Sequence, residues 1–148
     1  MSTRSNIMYQ QQSGEVLSAY CHMDGYLTGV GKSLLTHYNN DKMAHKLVAN
    51  GYISSIYPTI DEINIKRANK DKPIFYYDLE DAISNIDALF IEYVYLWNGK
   101  SWEVSFAESI KMPNNSFGES NYHYYHTKFQ PLEDCVTEDN KRRWPNVL

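Results

Sequence analysis

The chain has 148 residues, of which 43% are hydrophobic and 22% are charged, and this composition is typical of a globular protein rather than a disordered one. A formal net charge of -4 at pH 7 argues against general binding of nucleic acids, which requires a basic face. The length is sufficient for one hydrophobic core, so we expect a single domain over residues 1–148, less regular in its C-terminal third from about residue 107.

Cysteine usage and hydropathy indicate where the protein works. Cys21 and Cys135 are too few for a disulfide framework, and neither belongs to a CxxC pair of the kind that builds zinc sites. His123 and His126 could share a metal ion, but no third ligand accompanies them at a telling spacing. No apolar run is long enough to span a bilayer, and the N-terminus has no apolar signal core. We expect a cytoplasmic protein with free thiols, no metal and no cofactor.

The N-terminal segment predicts a β-hairpin. Residues 5–10 and 15–22 alternate as two strands would, and a short glycine-containing turn joins them. One face of the second strand is uniformly apolar and is expected to face the core: Leu17, Ala19 and Cys21. Tyr20 and His22 then lie on the opposite, more accessible face.

Short helices are predicted next. A glycine-rich turn at residues 24–31 leads into a helix whose apolar residues recur at helical spacing. Asp41 is predicted to cap a second helix, and the two are expected to form a hairpin on the sheet. Thr59 and Glu62 have the spacing of a capping box, which predicts a third helix.

The rest of the chain adds strands and two more helices. Residues 74–77 predict a short strand, after which Asp78 caps a helix. Residues 90–97 are the clearest strand, and the Asn-Gly pair that follows predicts a hairpin turn into residues 101–106. A last short helix is predicted at residues 131–140.

This order of elements consists of hairpins rather than βαβ crossovers. The predicted fold class is therefore α+β, an antiparallel sheet built from hairpins with short helices packed mainly on one face.

The Gly-Val-Gly-Lys-Ser run at residues 29–33 is similar to part of a phosphate-binding loop. The first glycine of that motif is missing at the required spacing, which argues against a nucleotide triphosphatase. Glycine N–H groups at a helix start, together with a lysine, still predict a general anion site. Its residues are Gly29, Gly31, Lys32 and Ser33.

His22 and Asp24 lie two apart at the end of a strand, so both could reach one side of the turn. An aspartate beside an imidazole can fix its tautomer and raise its pKa, which suits general acid–base catalysis. No nucleophile accompanies them, because Cys21 is expected to face the core. The alternative is structural, with Asp24 bonding its own turn and His22 closing the strand.

Thirteen tyrosines favour a protein that binds something. Tyr93, Tyr95 and Trp97 alternate along one strand face, together with Ile91, and could form an aromatic platform that stacks a planar ligand. Burial beneath a helix is the commoner outcome for such a row.

The opening Met-Ser-Thr-Arg-Ser-Asn-Ile and the later Tyr-Cys-His-Met-Asp-Gly-Tyr-Leu-Thr-Gly-Val-Gly resemble a family of small proteins from tailed phages and prophages. The hairpin at residues 92–102 is also similar to that family, although Met23 stands where members often carry tryptophan. The resemblance implies a phage origin and an accessory role, but no reaction. It gives weight to Arg4 and the His-x-Asp-Gly-Tyr turn as a shared site, with an Arg4–Asp24 ion pair as the simplest structural explanation.

We therefore expect a phage accessory binding protein in the host cytoplasm, active in host takeover or anti-defence. It would inhibit a host protein or sequester a small anionic, nucleotide-like ligand. The alternatives are a hydrolase or transferase using His22 and Asp24 on a phosphorylated substrate, and a minor virion component. Homo-oligomerisation is left open. The expected ligand-binding residues are Arg4, His22, Asp24, Tyr26, Gly29, Gly31, Lys32 and Ser33.

Overall fold

The computed structural model describes residues 2–126 and 128–143, apart from the side chain of residue 143. The strands are β1 Arg4–Gln10, β2 Val16–Cys21, β3 Ile74–Tyr76, β4 Ile91–Trp97, β5 Trp102–Met112, β6 Asn121–His126 and β7 Gln130–Pro131. The helices are α1 Lys32–His37, α2 Asp41–Ala49, α3 Ile60–Lys66, α4 Leu79–Ser84 and α5 Leu132–Arg143, and a π-helical turn, Leu27–Gly31, precedes α1. Within the described ranges, no helix has both the length and the apolar character needed to cross a membrane.

The strands form one curled sheet in the order β3-β2-β1-β4-β5-β6, with β7 also paired to β5. The predicted α+β class is confirmed, and both predicted hairpins, β1–β2 and β4–β5, are antiparallel. The two hairpins join through β1 and β4, which run parallel to each other. The pattern of hairpins did not predict this parallel pair, because it fixes the partner within each hairpin but not the direction in which two hairpins meet.

A β-bulge near the start of β4 changes which face its first residue occupies. The partner in β4 moves from Ile91 to Tyr93 as β1 advances from Arg4 to Ser5, so β4 carries one extra residue. Ile91 consequently packs on the opposite side of the sheet from Tyr95. The prediction that Ile91 shares a face with the tyrosines is wrong, since strict alternation does not pass through a bulge.

Both faces of the sheet are covered, one much more than the other. The main core lies under α1, α2, α3 and α5, and its buried side chains include Ile7, Tyr95, Trp97, Leu34, Leu47, Ile63 and Leu132. The second core lies under α4 and includes Met8, Val16, Ala82, Val94 and Leu96. Helices are thus packed mainly on one face, as predicted, and the small α4 leaves part of the other face open beside it.

The helix caps are local features, and most are where the sequence places them. The side chains of Thr59 and Asp78 each accept the backbone N–H three residues on, as predicted for the starts of α3 and α4. The cap of α2 is Asn40, whose Oδ1 accepts the N–H of Met43 at 2.9 Å, and not Asp41. The prediction missed by one residue because Asn and Asp are equally good caps and stand side by side here.

The C-terminal third is more regular than expected. β5 continues to Met112 and pairs along residues 107–112 with β6, forming a two-stranded ribbon. The helix predicted at residues 131–140 is present as α5, which buries Leu132 and Val136 in the main core.

Candidate functional site

The glycine-rich turn does not form the predicted anion site. The N–H groups of Gly29 and Gly31 donate to the carbonyl oxygen of Tyr26 at 3.0 and 3.4 Å, and Val30 donates to that of Asp24 at 2.8 Å. The Lys32 N–H is likewise taken by carbonyls of the π-helical turn. Because the π-helical turn precedes α1, the glycine N–H groups donate to carbonyl oxygens earlier in the chain and do not stand free at a helix start.

The side chains of the predicted anion site do not form a binding site either. Gly31 is buried with the Leu132 and Tyr95 side chains 3.3 and 3.5 Å from where a Cβ would stand, so its role is close packing. Lys32 is exposed and Ser33 is half-buried, and neither lines either of the two clefts described below.

His22 and Asp24 bond separately to neighbouring tyrosines. The Nδ1 atom of His22 shares a hydrogen bond of 2.8 Å with the Tyr20 hydroxyl, and Tyr26 donates its hydroxyl hydrogen to Asp24 Oδ1 at 3.2 Å. No hydrogen bond links His22 to Asp24 within the described residues. Cys21 is buried as predicted, and burial raises the pKa of its thiol to about 12, which keeps it protonated. The turn therefore lacks the geometry of an acid–base dyad in this structure.

Arg4 and His22 meet around Tyr20 instead. Residues 2–126 and 128–143 contain no Arg4–Asp24 ion pair, and the guanidinium of Arg4 lies beside the Tyr20 hydroxyl. Burial raises the pKa of Tyr20, while the nearby Arg4 acts in the opposite direction. Alternation along β1 and β2 puts these side chains on the α4 face of the sheet, as predicted for Tyr20 and His22.

Tyr20 is at one end of a cavity of about 480 Å³ that we call the tyrosine cleft. It lies on the α4 face between β1, β2 and β3, the segment at residues 69–72, and the residues after α4. Its lining side chains are Asn6, Ser18, Tyr20, Tyr52, Asn69, Asp71, Lys72, Ile74, Tyr76, Asn85, Ile86, Asp87 and Ile91. The volume is that of a site for a small molecule or cofactor.

Three tyrosine rings and the Asn6 amide are half-buried in the cleft, whereas the Asn69 and Asn85 side chains are exposed. The Tyr20 and Tyr52 ring centroids are 5.9 Å apart and their planes are tilted by 42°, and Tyr76 is half-buried at the other side. Asn6 lies on the floor, in the central strand β1 beside Tyr20. Its side chain is half-buried and makes no hydrogen bond to any described residue, so donor and acceptor groups are both open to the cleft.

The segment at residues 67–72, which brings Asp71 and Lys72 to the cleft, is hydrogen-bonded to the backbone of residues 50–52. Tyr52 donates its N–H to the Asp71 carbonyl oxygen at 2.9 Å, and Arg67 donates from Nη1 to the Asn50 carbonyl oxygen at 3.0 Å. Gly51 has φ +87°, and a Cβ there would be 2.2 Å from the Asp71 oxygen, so only glycine permits this approach. Asp71 and Lys72 are thereby brought to the mouth of the cleft.

The predicted aromatic platform is not available to a ligand as a row. Tyr95 is fully buried and Trp97 is 3% exposed, because both pack in the main core beneath the helices. Tyr93 is half-buried and lines a second cleft of about 450 Å³, together with Tyr26. This second cavity, which we call the α5 cleft, also contacts Leu27, Phe106, Gln130, Cys135, Glu138, Asp139 and Arg142.

A third groove, of about 830 Å³, runs between the two hairpin turns and contains none of the predicted site residues. It is larger than the tyrosine cleft but more open, and glutamine, serine, asparagine and glycine from the turns form much of its wall. We prefer the tyrosine cleft because it is the less open of the two and offers several rings with a few polar groups, which is the usual lining of a small-molecule site.

Metal ligands do not cluster in the part of the chain that the structure describes: no three His, Cys, Asp or Glu side chains are placed to share an ion. His123 and His126 lie three apart on β6, and a strand points such residues to opposite faces. His126 bonds to Ser105 Oγ and to the Ile91 carbonyl oxygen, at 3.2 and 2.7 Å, and its burial lowers its pKa.

The residues that sequence reasoning missed are Asn6, Tyr52 and Asp71. Asn6 carried no signal, because it stands among other polar residues at the start of β1. Tyr52 and Asp71 carried no signal either, since only the folded chain brings them to Tyr20.

Comparisons of the chain with protein-family models, with curated proteins and with solved structures found no match. The resemblance to phage proteins therefore stays an expectation drawn from the motifs.

Proposed function

We propose that this protein binds a small planar ligand, a nucleoside or nucleotide, in the tyrosine cleft. The observation that carries the proposal is the Asn6 amide, which is half-buried on the cleft floor and unpaired among the described residues. An amide without partners on the cleft floor leaves a donor and an acceptor for a ligand, and amides pair well with the edge of a base. Tyr20 and Tyr52 stand beside it and can stack the ring.

The charges around the cleft favour a ligand with few phosphates. Lys72 offers one cation in the lining, and Asp71 and Asp87 offer two carboxylates there. Arg4 lies beside Tyr20 but outside the lining. Carboxylates suit ribose hydroxyls and repel a polyphosphate. A nucleoside or monophosphate fits this balance better than a triphosphate does.

The biological role we propose is that of a phage accessory protein that sequesters such a ligand in the infected cell, in host takeover or anti-defence. Support comes from the motif resemblance and from the absence of a His22–Asp24 dyad within the described structure, which favours binding over hydrolysis.

Titration calorimetry of the whole chain against a panel of nucleosides, monophosphates and triphosphates tests the proposal. At least one nucleoside or monophosphate should bind, and Tyr52→Ala should weaken binding about 5- to 100-fold, the usual cost of losing one stacking ring. Asn6→Ala should weaken it as well. Tyr77→Ala is the matched control, because Tyr77 is 79% exposed and outside the cleft.

Circular dichroism should show that each variant remains folded. The proposal fails if no member of the panel binds, or if the Tyr52 and Tyr77 variants lose affinity equally.

A further inference from the structure

The ribbon formed by β6 and residues 107–112 of β5 contributes no side chain to either core. Residues 108–124 are all exposed, and they include five large apolar or aromatic side chains: Ile110, Met112, Phe117, Tyr122 and Tyr124. As far as the structure describes the chain, β6 pairs on one side only, with β5. A two-stranded ribbon without a covered face is marginally stable in water, so this one gains stability when a further strand joins it.

β6 lacks the features by which soluble proteins protect a free sheet edge. Its sequence, Asn-Tyr-His-Tyr-Tyr-His, contains no lysine, no carboxylate and no proline. The strand at the opposite edge of the sheet, β3, is three residues long and follows Lys72 and Pro73. Within the ribbon, β5 carries Glu108 and Lys111. Of these three strands, β6 is therefore the best suited to accept another strand.

Aromatic rings stand along both faces of β6. Tyr122 and Tyr124 alternate on one face, and His123 and Tyr125 alternate on the other. The His123 and Tyr125 rings are stacked, with centroids 5.9 Å apart and planes at 10°. Aromatic side chains are favourable cross-strand neighbours, so a strand that pairs with β6 gains most if it also presents rings.

The distribution of charge favours a second copy of this chain as that strand. The chain has a net charge of -4, so electrostatic repulsion opposes contact between two copies except where charge is absent or balanced. β6 contains no Lys, Arg, Asp or Glu, and the two charges of the neighbouring residues 107–112 have opposite signs. In an antiparallel pair of β6 strands about a two-fold axis through Tyr124, each ring faces a tyrosine or a histidine and no like charges are opposed. An axis through His123 would instead oppose two imidazoles, which repel each other once protonated.

We propose that this protein forms a homodimer in which the β6 strands of two copies pair antiparallel about a two-fold axis through Tyr124. The two ribbons then become one four-stranded sheet. A pair of six-residue strands is a small interface compared with the roughly 1,200–2,000 Å² of a standard stable complex, so the dimer is expected to be weak and dependent on concentration. The interface shares no residue with the tyrosine cleft and does not depend on its ligand.

Sedimentation velocity of the full chain measures the association. The average mass should rise from monomer towards dimer as the concentration increases about a hundredfold. Tyr124→Lys should weaken the dimer by about tenfold or more, because it opposes two like charges across the axis. Ser109→Lys is the matched control, since it adds the same charge at an exposed position that pairs with Tyr124 from β5, one strand away from the interface. The control should associate as the unaltered protein does.

Disulfide cross-linking tests the direction and register of the pair. Tyr124→Cys should link two copies under mild oxidation, because residues directly opposite each other have Cβ atoms about 4.5–5.5 Å apart, within reach of a disulfide after a small adjustment. Tyr122→Cys is its control, since in this register Tyr122 faces His126 of the second copy and lies far from its own equivalent. Both variants are made together with Cys135→Ser, because Cys135 is only half-buried.

A protein that stays monomeric over the whole concentration range would overturn the proposal. A dimer that Tyr124→Lys leaves intact would do the same. Equal weakening by Tyr124→Lys and Ser109→Lys would indicate packing between ribbon faces rather than pairing of edges, and preferential cross-linking of the Tyr122→Cys protein would exclude the two-fold through Tyr124. Circular dichroism checks that each variant is folded.

Discussion

Gly51 shows how one residue without a side chain can shape a cleft. Its φ is +87°, and the Asp71 carbonyl oxygen lies where its Cβ would be. Gly14, in the first hairpin turn, has a similar φ of +96° but no atom within 4 Å of its Cβ position. The two glycines form a matched pair, because only the close approach differs between them.

We expect Gly14→Ala to cost about 1–2 kcal/mol, the price of a left-handed conformation. Gly51→Ala should cost about 1–3 kcal/mol more, because the new methyl pushes the segment with Asp71 away. Urea unfolding of both variants measures the difference. Equal losses of stability would show that the contact with Asp71 is easily relieved.

For single residues, the sequence predicted which face of the sheet a side chain occupies. It did not predict which residues from distant parts of the chain lie beside it. The alternation of β2 correctly placed Tyr20 and His22 on the face opposite the main core, where Tyr20 packs against the second core. It could not show that Tyr52 joins them, since that contact depends on a loop 30 residues further on. The N–H groups of Gly29 and Gly31 were predicted to be available to an anion, because the π-helical turn in which they donate has no sequence signature of its own.

At the scale of elements, α2 is tied to the sheet through Asp41. Its Oδ1 accepts hydrogen bonds from the Tyr9 hydroxyl at 2.9 Å and from Trp97 Nε1 at 3.0 Å. These donors belong to β1 and β4, the parallel pair at the centre of the sheet. One carboxylate oxygen thus connects the helix to both hairpins.

Asp41→Ala should destabilise the protein by about 2–4 kcal/mol, because two hydrogen bonds to a charged group are lost and the buried Trp97 N–H is left unpaired. Asp61→Ala is a suitable control: Asp61 is in the first turn of α3 and has the same favourable position at a helix start, without those partners. Chemical unfolding followed by tryptophan fluorescence measures both. If both variants lost the same amount of stability, Asp41 would stabilise the protein only through its charge at the start of a helix, and not through its bonds to Tyr9 and Trp97.

The elements themselves were largely predictable, and their assembly was not. The caps at Thr59 and Asp78 and the turn after β4 depend on a few adjacent residues, so the sequence reveals them. The bulge at the start of β4 and the length of β5 depend on the neighbouring strand. The tyrosine cleft follows from that assembly, because it exists only where the short α4 leaves the sheet uncovered.

At the scale of the whole molecule, the main core contains ionisable groups that are stable there only in their neutral forms. Burial raises the pKa of Cys21 and of Tyr38 to about 12 each, and raises that of Tyr95 well above its usual value. The hydroxyls of Tyr38 and Tyr95 also donate to the carbonyl oxygens of Tyr57 and Gly25. Ionisation would place a charge in the core and, for the two tyrosines, would also remove the proton that makes the hydrogen bond.

Stability should therefore fall steeply in alkali. Above pH 9 to 10 the unfolded chain releases protons from these groups while the folded chain keeps them, so the free energy of unfolding decreases as pH rises, by up to about 1.4 kcal/mol per pH unit for each group. For Cys21 and Tyr38 the loss continues until about pH 12.

Urea unfolding at pH 8, 9, 10 and 11 measures this slope, and Tyr38→Phe isolates one contributor to it. The variant should lose stability at pH 8, since the hydrogen bond to Tyr57 is gone, but its decline above pH 10 should be shallower by up to about 1.4 kcal/mol per pH unit. The two curves should therefore converge in alkali. Parallel curves would mean that the hydroxyl of Tyr38 ionises as readily in the folded protein as in the unfolded chain, and that its burial in the core imposes no penalty on charge.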